Sequence, residues 1–467
     1  MGRVILSIAA ALVGAIVPAS VDAQPAPTTP AAPTAPAAQK TSRLPTVEQA
    51  TLPNGLRIAV MRNDAAPVVS VQVWYRAGSK DEPRDRRGTA HMFEHILFKG
   101  SQRVRPDAHA QLVGSVGGLV GAQTEEDATH YADTLPADYL DLAIQLEAER
   151  MRNLVFRPEV IARERAVVKD ELRQQDDALL AKGFLRFLGI AFTKHPYAWT
   201  AGGSLPELDA ITPEGLKQFY DAYYQPNNAL LVVVGKTTLD AVKASAERHF
   251  GPISRAPEPP RPSLQAAEPP QAARRREVVA PIGAAGLVLV GFHIPPAKDK
   301  DIYALQVASM ILGVGDASRL KVRIRSTDPK SSPKRPYGVD AAAEAVVREE
   351  AGILLALGVF REAAQAEGVE AAILDELGKL AAAGPTADEL RKAKNQVQSG
   401  FLFSLENAQG LGQAIGRSWI LAGDPGAFMR DVDEIEKLTA ADIARAAKQY
   451  LAADKATIVV IPPKGGK

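Results

Sequence analysis

Gly88-Thr-Ala-His91-Met-Phe-Glu94-His95-Ile-Leu-Phe-Lys-Gly100 is the stretch on which the reading of the whole chain turns. His91, Glu94 and His95 stand at H-x-x-E-H spacing, and on a helix positions i, i+3 and i+4 share one face. Two imidazoles projecting together suit a divalent zinc ion, which takes nitrogen ligands in a tetrahedral shell. A carboxylate beside them that does not itself bind the metal can take a proton from the metal's water. Ala90, Met92, Phe93, Ile96, Leu97 and Phe98 give the helix an apolar flank, so it is expected to be partly buried. The chain has only seven histidines, which makes a chance pairing around a glutamate a weak explanation.

Working outward, Val68–Tyr75 is a β-branched run that reads as a central strand, joined to the motif helix by a charged loop over 77–87. Before it, 49–61 reads as strand, Asn54-Gly55 turn, strand. After it, the pattern predicts a helix over 106–116, strands over 119–124 and 129–135 around Glu125-Glu-Asp127, and helices over 137–153 and 158–177. A helix over 205–224, a buried strand over 228–235 and a helix over 239–250 complete this part. A Pro-rich stretch over 252–276, closing on Arg274-Arg-Arg276, reads as a solvated linker. Beyond it the chain starts again: strands over 286–292 and 353–359, helices over 301–312, 368–383 and 386–405, and a helix-strand pair over 439–461. The fold class is therefore α+β, with two similar domains, each a mostly antiparallel sheet packed with helices.

The ends and the composition set the context. Arg3 followed by an apolar run to Val17 and by Val21-Asp22-Ala23 reads as a secretory signal peptide over 1–23, too short to span a bilayer permanently. Residues 24–46, rich in Pro, Ala and Thr, read as a disordered tether. The remaining boundaries are 47–252 for the motif-bearing domain, 253–276 for the linker and 277–467 for a second domain without the motif. Export points to a periplasmic protein, with no stable membrane span after signal cleavage. The complete lack of cysteine rules out thiolate chemistry and disulfides, and a net charge of +1 gives no reason to expect nucleic acid as a partner.

Zinc with two histidines needs a third protein ligand and an open position. Glu164 and Glu171, seven residues apart and nearly on one helical face, are both candidates, and helical geometry does not choose between them. His293, the one histidine of the second half, reads as structural.

Beyond the tether, the chain resembles the pitrilysin/insulinase family of zinc metallopeptidases, the inverzincins. The resemblance lies in G-x-A-H-x-x-E-H-x-x-F-K-G, Gly117-Gly118, Thr124, Asp127, Tyr131, Glu164, Glu171, His195-Pro-Tyr197, Tyr224-Gln-Pro-Asn-Asn228, Val233-Val-Gly235 and Gly384-Pro-Thr-x-x-Glu389. It implies one zinc ion per chain held by His91, His95 and Glu171, with Glu94 as general base and Glu164 supporting the ligands. It also implies a two-domain half of a clamshell that hydrolyses unfolded peptides or small proteins, the substrate lying as an added strand along 119–124. Gly121-Ala122 stands there where the family often has Asn-Ala. A family Arg/Tyr pair spaced by seven is altered: Arg325 follows Ser318-Arg-Leu320 as expected, but Ser332 occupies the Tyr position and the nearest tyrosine is Tyr337. That departure favours the bacterial two-chain or processing-peptidase-like branch, in which a sister subunit (heterodimer) or a second copy (homodimer) completes the site. The competing readings are a non-catalytic assembly subunit and a peptidase dedicated to one precursor.

Overall fold

The computed structural model describes residues 46–176, 178–330, 334–404 and 407–465. The expected signal peptide, all but the last residue of the tether, and Ser332 lie outside them. The first sheet is built from β1 (Glu48–Thr51), β2 (Arg57–Arg62), β3 (Val68–Tyr75), β4 (Leu119–Thr124), β5 (Thr129–Pro136) and β6 (Ala229–Gly235), in the order β1-β2-β6-β3-β5-β4. Its helices are α1 (Thr89–Ile96), α2 (Ala108–Ser115), α3 (Leu140–Arg152), α4 (Pro158–Asp176), α5 (Leu179–Ala191), α6 (Leu205–Ala210), α7 (Pro213–Tyr223) and α8 (Leu239–His249).

The second sheet is formed by β7 (Arg275–Val278), β8 (Gly286–Ile294), β9 (Asp340–Val346), β10 (Gly352–Phe360) and β11 (Thr457–Ile461), in the order β7-β11-β8-β10-β9. Around it lie α9 (Asp301–Gly313), α10 (Arg319–Arg325), α11 (Ala366–Ala383), α12 (Ala387–Ser404), α13 (Ala408–Ala422), α14 (Phe428–Lys437) and α15 (Ala440–Tyr450). Each sheet has one parallel pair, β2 with β6 and β7 with β11, and is otherwise antiparallel. Laid side by side, β2-β6-β3-β5-β4 and β7-β11-β8-β10-β9 are the same topology, with β4 and β9 as equivalent edges.

Both sheets are buried on both faces, which is why β3, β6, β8 and β10 read as nearly continuous apolar runs. On the first sheet, Ile58, Val60, Val71, Val73, Leu231 and Val233 face the helices of their own half. Trp74, Leu230, Val232 and Val234 face the other way, onto Leu411, Ile415 and Trp419 of α13, a helix from the second half. The exchange is reciprocal. Phe184, Phe187 and Leu188 of α5, from the first half, cover Leu287, Leu289, Leu355 and Val459 of the second sheet.

Sequence periodicity did not anticipate α5, β7, α10, β9, α13 or α14, and two of these, α5 and α13, make the exchange. α13 carries glycines that argue against a helix, but their absence of side chains lets it sit close on the sheet. A Cβ at Gly412 would stand 2.4 Å from Gln72 Nε2, and one at Gly416 would stand 2.1 Å from the Trp74 ring. The arginine run is exposed at Arg274 and Arg276, as expected, but it is already part of the second sheet: β7 begins at Arg275, whose guanidinium donates at 2.8 Å to the carbonyls of Ile190 and Ala191 at the end of α5. Arg274 donates to the Ala453 carbonyl, and Arg276 pairs with Glu370.

Candidate metal centre

α1 is two turns long and amphipathic. Met92, Phe93 and Ile96 are buried, while His91, Glu94 and His95 lie half-buried on the opposite face. Phe93 anchors the helix, its ring 4.9 Å from that of Tyr224 and stacked at 5.6 Å on Phe219. The Tyr131 hydroxyl, from β5, donates to the Phe93 carbonyl at 2.9 Å and lies 3.3 Å from the Tyr224 hydroxyl. These contacts give Tyr131 and Tyr224 their place: they fix the helix against the sheet.

α4 packs beside α1 and delivers both glutamates. Glu171 Oε2 lies 3.5 Å from His91 Nε2 and 3.7 Å from His95 Nε2, and its side chain is 42% exposed. Glu164 Oε2 lies 3.6 Å from His95 Nδ1, on the far side of that ring, and its side chain is only 5% exposed. The Glu164 carboxylate also meets Lys99 at 3.5 Å and Arg163 at 3.2 Å. The two glutamates thus divide: Glu171 stands where both Nε2 atoms point, while Glu164 faces the Nδ1 side of the His95 ring. The hydrogen bond from His91 holds the Glu171 carboxyl below its ordinary value. Burial, and then the neighbouring His91 ring, keep His95 below the ordinary imidazole range, toward the neutral form that binds metal.

His91, His95 and Glu171 each offer one atom within 4.8 Å of the others. Two neutral imidazoles and one carboxylate are donors that zinc takes, and three protein donors with a half-open side match a catalytic rather than a structural site. The buried Nδ1 of His91 has no hydrogen-bond partner among the described residues. A second group, His109, Asp133 and Glu147, is also close enough to hold a metal, but it already contains its cation. Arg150 is buried against Glu147 through two hydrogen bonds, and His109 Nε2 lies 3.0 Å and 3.1 Å from the two Asp133 oxygens. A divalent ion there would have to displace a guanidinium, so the cluster is read as a closed ionic network.

β4 is the edge of the first sheet and lies beside α1. Ala122 packs against the core, whereas a side chain at Gly121 would meet nothing within 4 Å. Arg325 and Tyr337 are not brought to the His91 group. Arg325 pairs with Asp316 and Asp340, each at 3.2 Å. Tyr337 is buried in the second core, with Arg323 stacked over its ring at 4.4 Å and donating to its hydroxyl at 2.9 Å. His293 lies 4.8 Å from the Phe192 ring and belongs to neither metal-ligand group found among the described residues.

The charged loop between β3 and α1 holds what sequence reasoning missed. Lys80, Asp81 and Glu82 are consecutive and all buried. Lys80 Nζ meets Asp127 at 2.9 Å, Glu349 at 2.6 Å and Glu350 at 3.1 Å, joining the first half to the β9–β10 hairpin of the second. His195 and Tyr197 belong to this hub: His195 Nε2 lies 2.9 Å from Glu350, and the Tyr197 hydroxyl donates to Asp127. Glu125 and Glu126 pair with Arg417 and Arg348 of the second half. Periodicity cannot signal such partners, because they lie hundreds of residues away.

Two family models match the chain: that described as insulinase (peptidase family M16) over residues 57–198, and that described as peptidase M16 inactive domain over residues 210–397. Zinc protease PqqE of Helicobacter pylori is 28% identical, covering 90% of this chain and 94% of that protein. A probable mitochondrial-processing peptidase subunit beta of Arabidopsis thaliana is 27% identical, covering 90% of this chain and 79% of that one. Among solved structures, a protease from Helicobacter pylori superposes with a TM-score of 0.84 at 28% identity, covering 90% of this chain and all of that one. The first half of the periplasmic protease PqqL from Escherichia coli superposes with a TM-score of 0.72 at 20% identity, covering 91% and 93%, a likeness of fold alone. No helix of the described residues is long and apolar enough to cross a membrane.

Proposed function

Because this chain belongs to the insulinase family of peptidases, family M16, we propose that it is an exported zinc endopeptidase that hydrolyses unfolded peptides or small proteins. The observation that carries this reading is the convergence of His91 Nε2, His95 Nε2 and Glu171 Oε2 on a half-open face. Those three residues hold the metal, and Glu164 keeps the His95 ring oriented. Zinc bound there supplies Lewis acidity, which acidifies water and polarises a peptide carbonyl. The Glu94 carboxylate takes the proton of the water that attacks the carbonyl carbon and passes it to the departing nitrogen. The free edge of β4 aligns the substrate backbone by strand addition, and the open space at Gly121 admits its side chains.

The chain acts as the zinc-bearing subunit of a pair. Arg325 and Tyr337 are each engaged elsewhere within their own half, which supports a sister chain as the source of the groups that complete the site. Arg3 and the apolar run after it support export to the periplasm. Retention of all three ligands and of Glu94 argues against a purely structural subunit, and substrate profiling separates a general degrader from a processing peptidase. The test is cleavage of a quenched unstructured peptide by the mature chain and by Glu94→Gln, with chelator and then zinc re-addition. Cleavage that needs zinc and the completing sister chain, and that disappears in Glu94→Gln, is expected. Cleavage that survives both chelator and Glu94→Gln overturns the assignment.

A further inference from the structure

α1 starts without a cap of its own. Its N-cap is Gly88, with φ 91° and no side chain to accept a hydrogen bond. An ordinary capping residue does not fit there: a Cβ at Gly88 would stand 2.6 Å from Leu208 Cδ2 and 3.1 Å from the Gly202 carbonyl oxygen, in a backbone conformation that side chains disfavour. The first-turn N–H groups, which no residue inside the helix can satisfy, are instead met by a carboxylate from six residues back. Gly88 N donates to Glu82 Oε2 at 3.0 Å, and Ala90 N donates to Glu82 Oε1 at 2.7 Å. Glu82 is 3% exposed, and among the described residues no ion pair reaches its carboxylate.

Burying a carboxylate without a contacting cation is expensive, and here the compensation comes first from the two N–H groups of the helix N-terminus, whose dipole favours a negative charge, and only then from the more distant Arg87. The consequence is geometric. In a helix of two turns, His91 sits in the first turn, so the direction of its ring follows from the backbone that Glu82 holds. We propose that Glu82 is a positioning residue for the metal centre, setting the first turn of α1 so that His91 and His95 meet Glu171. The proposal rests on the zinc reading above. The segment that carries Glu82 is tied to the other half of the chain two residues before it. Asp81 accepts from Gly78 N at 3.0 Å, and Lys80, one residue further back, is locked to Glu349 and Glu350. The ligands of the first half therefore take part of their alignment from the second.

The experiment uses the full mature chain, stripped of metal and titrated with zinc alone against a chromophoric chelator. Cobalt(II) titrated in parallel reports ligand geometry through its visible absorption. In Glu82→Gln the amide keeps one acceptor but turns an NH2 toward a backbone N–H. Zinc affinity is expected to fall about tenfold, the lower end of what groups supporting metal ligands contribute, with an altered cobalt band. A merely structural cap would lower the melting temperature of the metal-free chain but leave affinity and spectrum unchanged. Glu82→Asp, which keeps the charge but is too short to reach both amides, gives the same readout should Glu82→Gln not fold, with a smaller loss of affinity. A folded variant of either kind with wild-type zinc affinity and cobalt spectrum overturns the proposal. A wild-type chain that takes up no zinc overturns instead the metal reading beneath it.

Discussion

Lys80→Met tests whether the buried charges between the halves hold the molecule together. Lys80 is 2% exposed and contacts three carboxylates, Asp127, Glu349 and Glu350. Burial works to lower its pKa, but these acids hold it well above the ordinary lysine value. Removing one partner of a buried pair costs about 3–5 kcal/mol, because the other charge is left stranded. The lower end applies here, since each acid keeps other partners. Glu349 retains Arg76 at 3.2 Å, Glu350 retains His195 at 2.9 Å and Ser263 at 2.7 Å, and Asp127 retains Tyr197 and the Glu349 N–H. A loss of about 3 kcal/mol at pH 7 is expected, read by urea unfolding of the metal-free chain. Trp74 and Trp419 fluorescence serves as the probe, because both rings lie where the halves meet. Without the ammonium the carboxyls hold protons more tightly in the folded state. A raised carboxyl pKa contributes stability that is fully present at low pH and lost as pH rises, so the gap to wild type should narrow as pH falls and close only toward about pH 2, where the wild-type Glu350 takes up its own proton. Lys437→Met, which removes an exposed pair with Glu434, serves as a control with no measurable effect. A loss below about 1 kcal/mol, or a gap independent of pH, would refute the reasoning.

Three further outcomes follow from the same geometry. Glu171→Gln should weaken zinc binding far more than Glu164→Gln, for which roughly tenfold is expected; equal losses in a metal competition assay would remove Glu171 from the ligand set. Gly416→Val drives a side chain into Trp74, whose ring stands 2.1 Å from a Cβ at that position, and should cost at least about 1–3 kcal/mol by overpacking, seen in the same fluorescence transition. Burial works to raise the Glu350 carboxyl, but His195, Lys80 and Ser263 together hold it at about 2 against an ordinary 4.5. Its contribution, on the order of 3 kcal/mol at most, is therefore present above pH 4.5 and lost as pH falls toward 2. His195→Phe should move acid unfolding to higher pH, and an unchanged acid limb would show that the bond to Glu350 carries no stability.

What the sequence made legible was local. His91, Glu94 and His95 share a face because three and four residues are one helical turn, and the inner strands β3, β6, β8 and β10 were readable because double-sided burial makes them apolar almost throughout. Choosing Glu171 over Glu164 needed the family resemblance, since helical spacing puts both on one face. Only the packing of α4 on α1 separates them, one in front of the His95 ring and one behind it. Lys80, Asp81 and Glu82 were illegible for a different reason. Three charged residues in a loop carry the signature of a solvated surface, and the partner that buries Lys80 is 269 residues away. α13 left no legible periodic signal, and the reason for its glycines is the close approach of Gln72 and Trp74 to Gly412 and Gly416.

The shared topology of the two sheets explains why only one of them carries the candidate site. The helix after β3, α1, is short, leaves three polar side chains half-exposed and lies beside the free edge β4. Its counterpart after β8, α9, is longer and almost wholly buried, with Ile302, Leu305, Val307, Ile311 and Leu312 in the second core. That face is spent on packing, so the counterpart of α1 does not display a row of polar side chains as α1 does. What it provides is support: α13 lies across the back of the first sheet, and Glu349 and Glu350 reach the Lys80 hub beside α1. Since α5 crosses in the opposite direction, the halves cannot part without exposing two apolar sheet faces and a set of buried charges. A metal centre gains from that rigidity, because ligands and base must keep their geometry. The same rigidity removes the hinge from within the chain. In the two-chain arrangement proposed above, the movement that admits substrate would then fall between the chains rather than within this one.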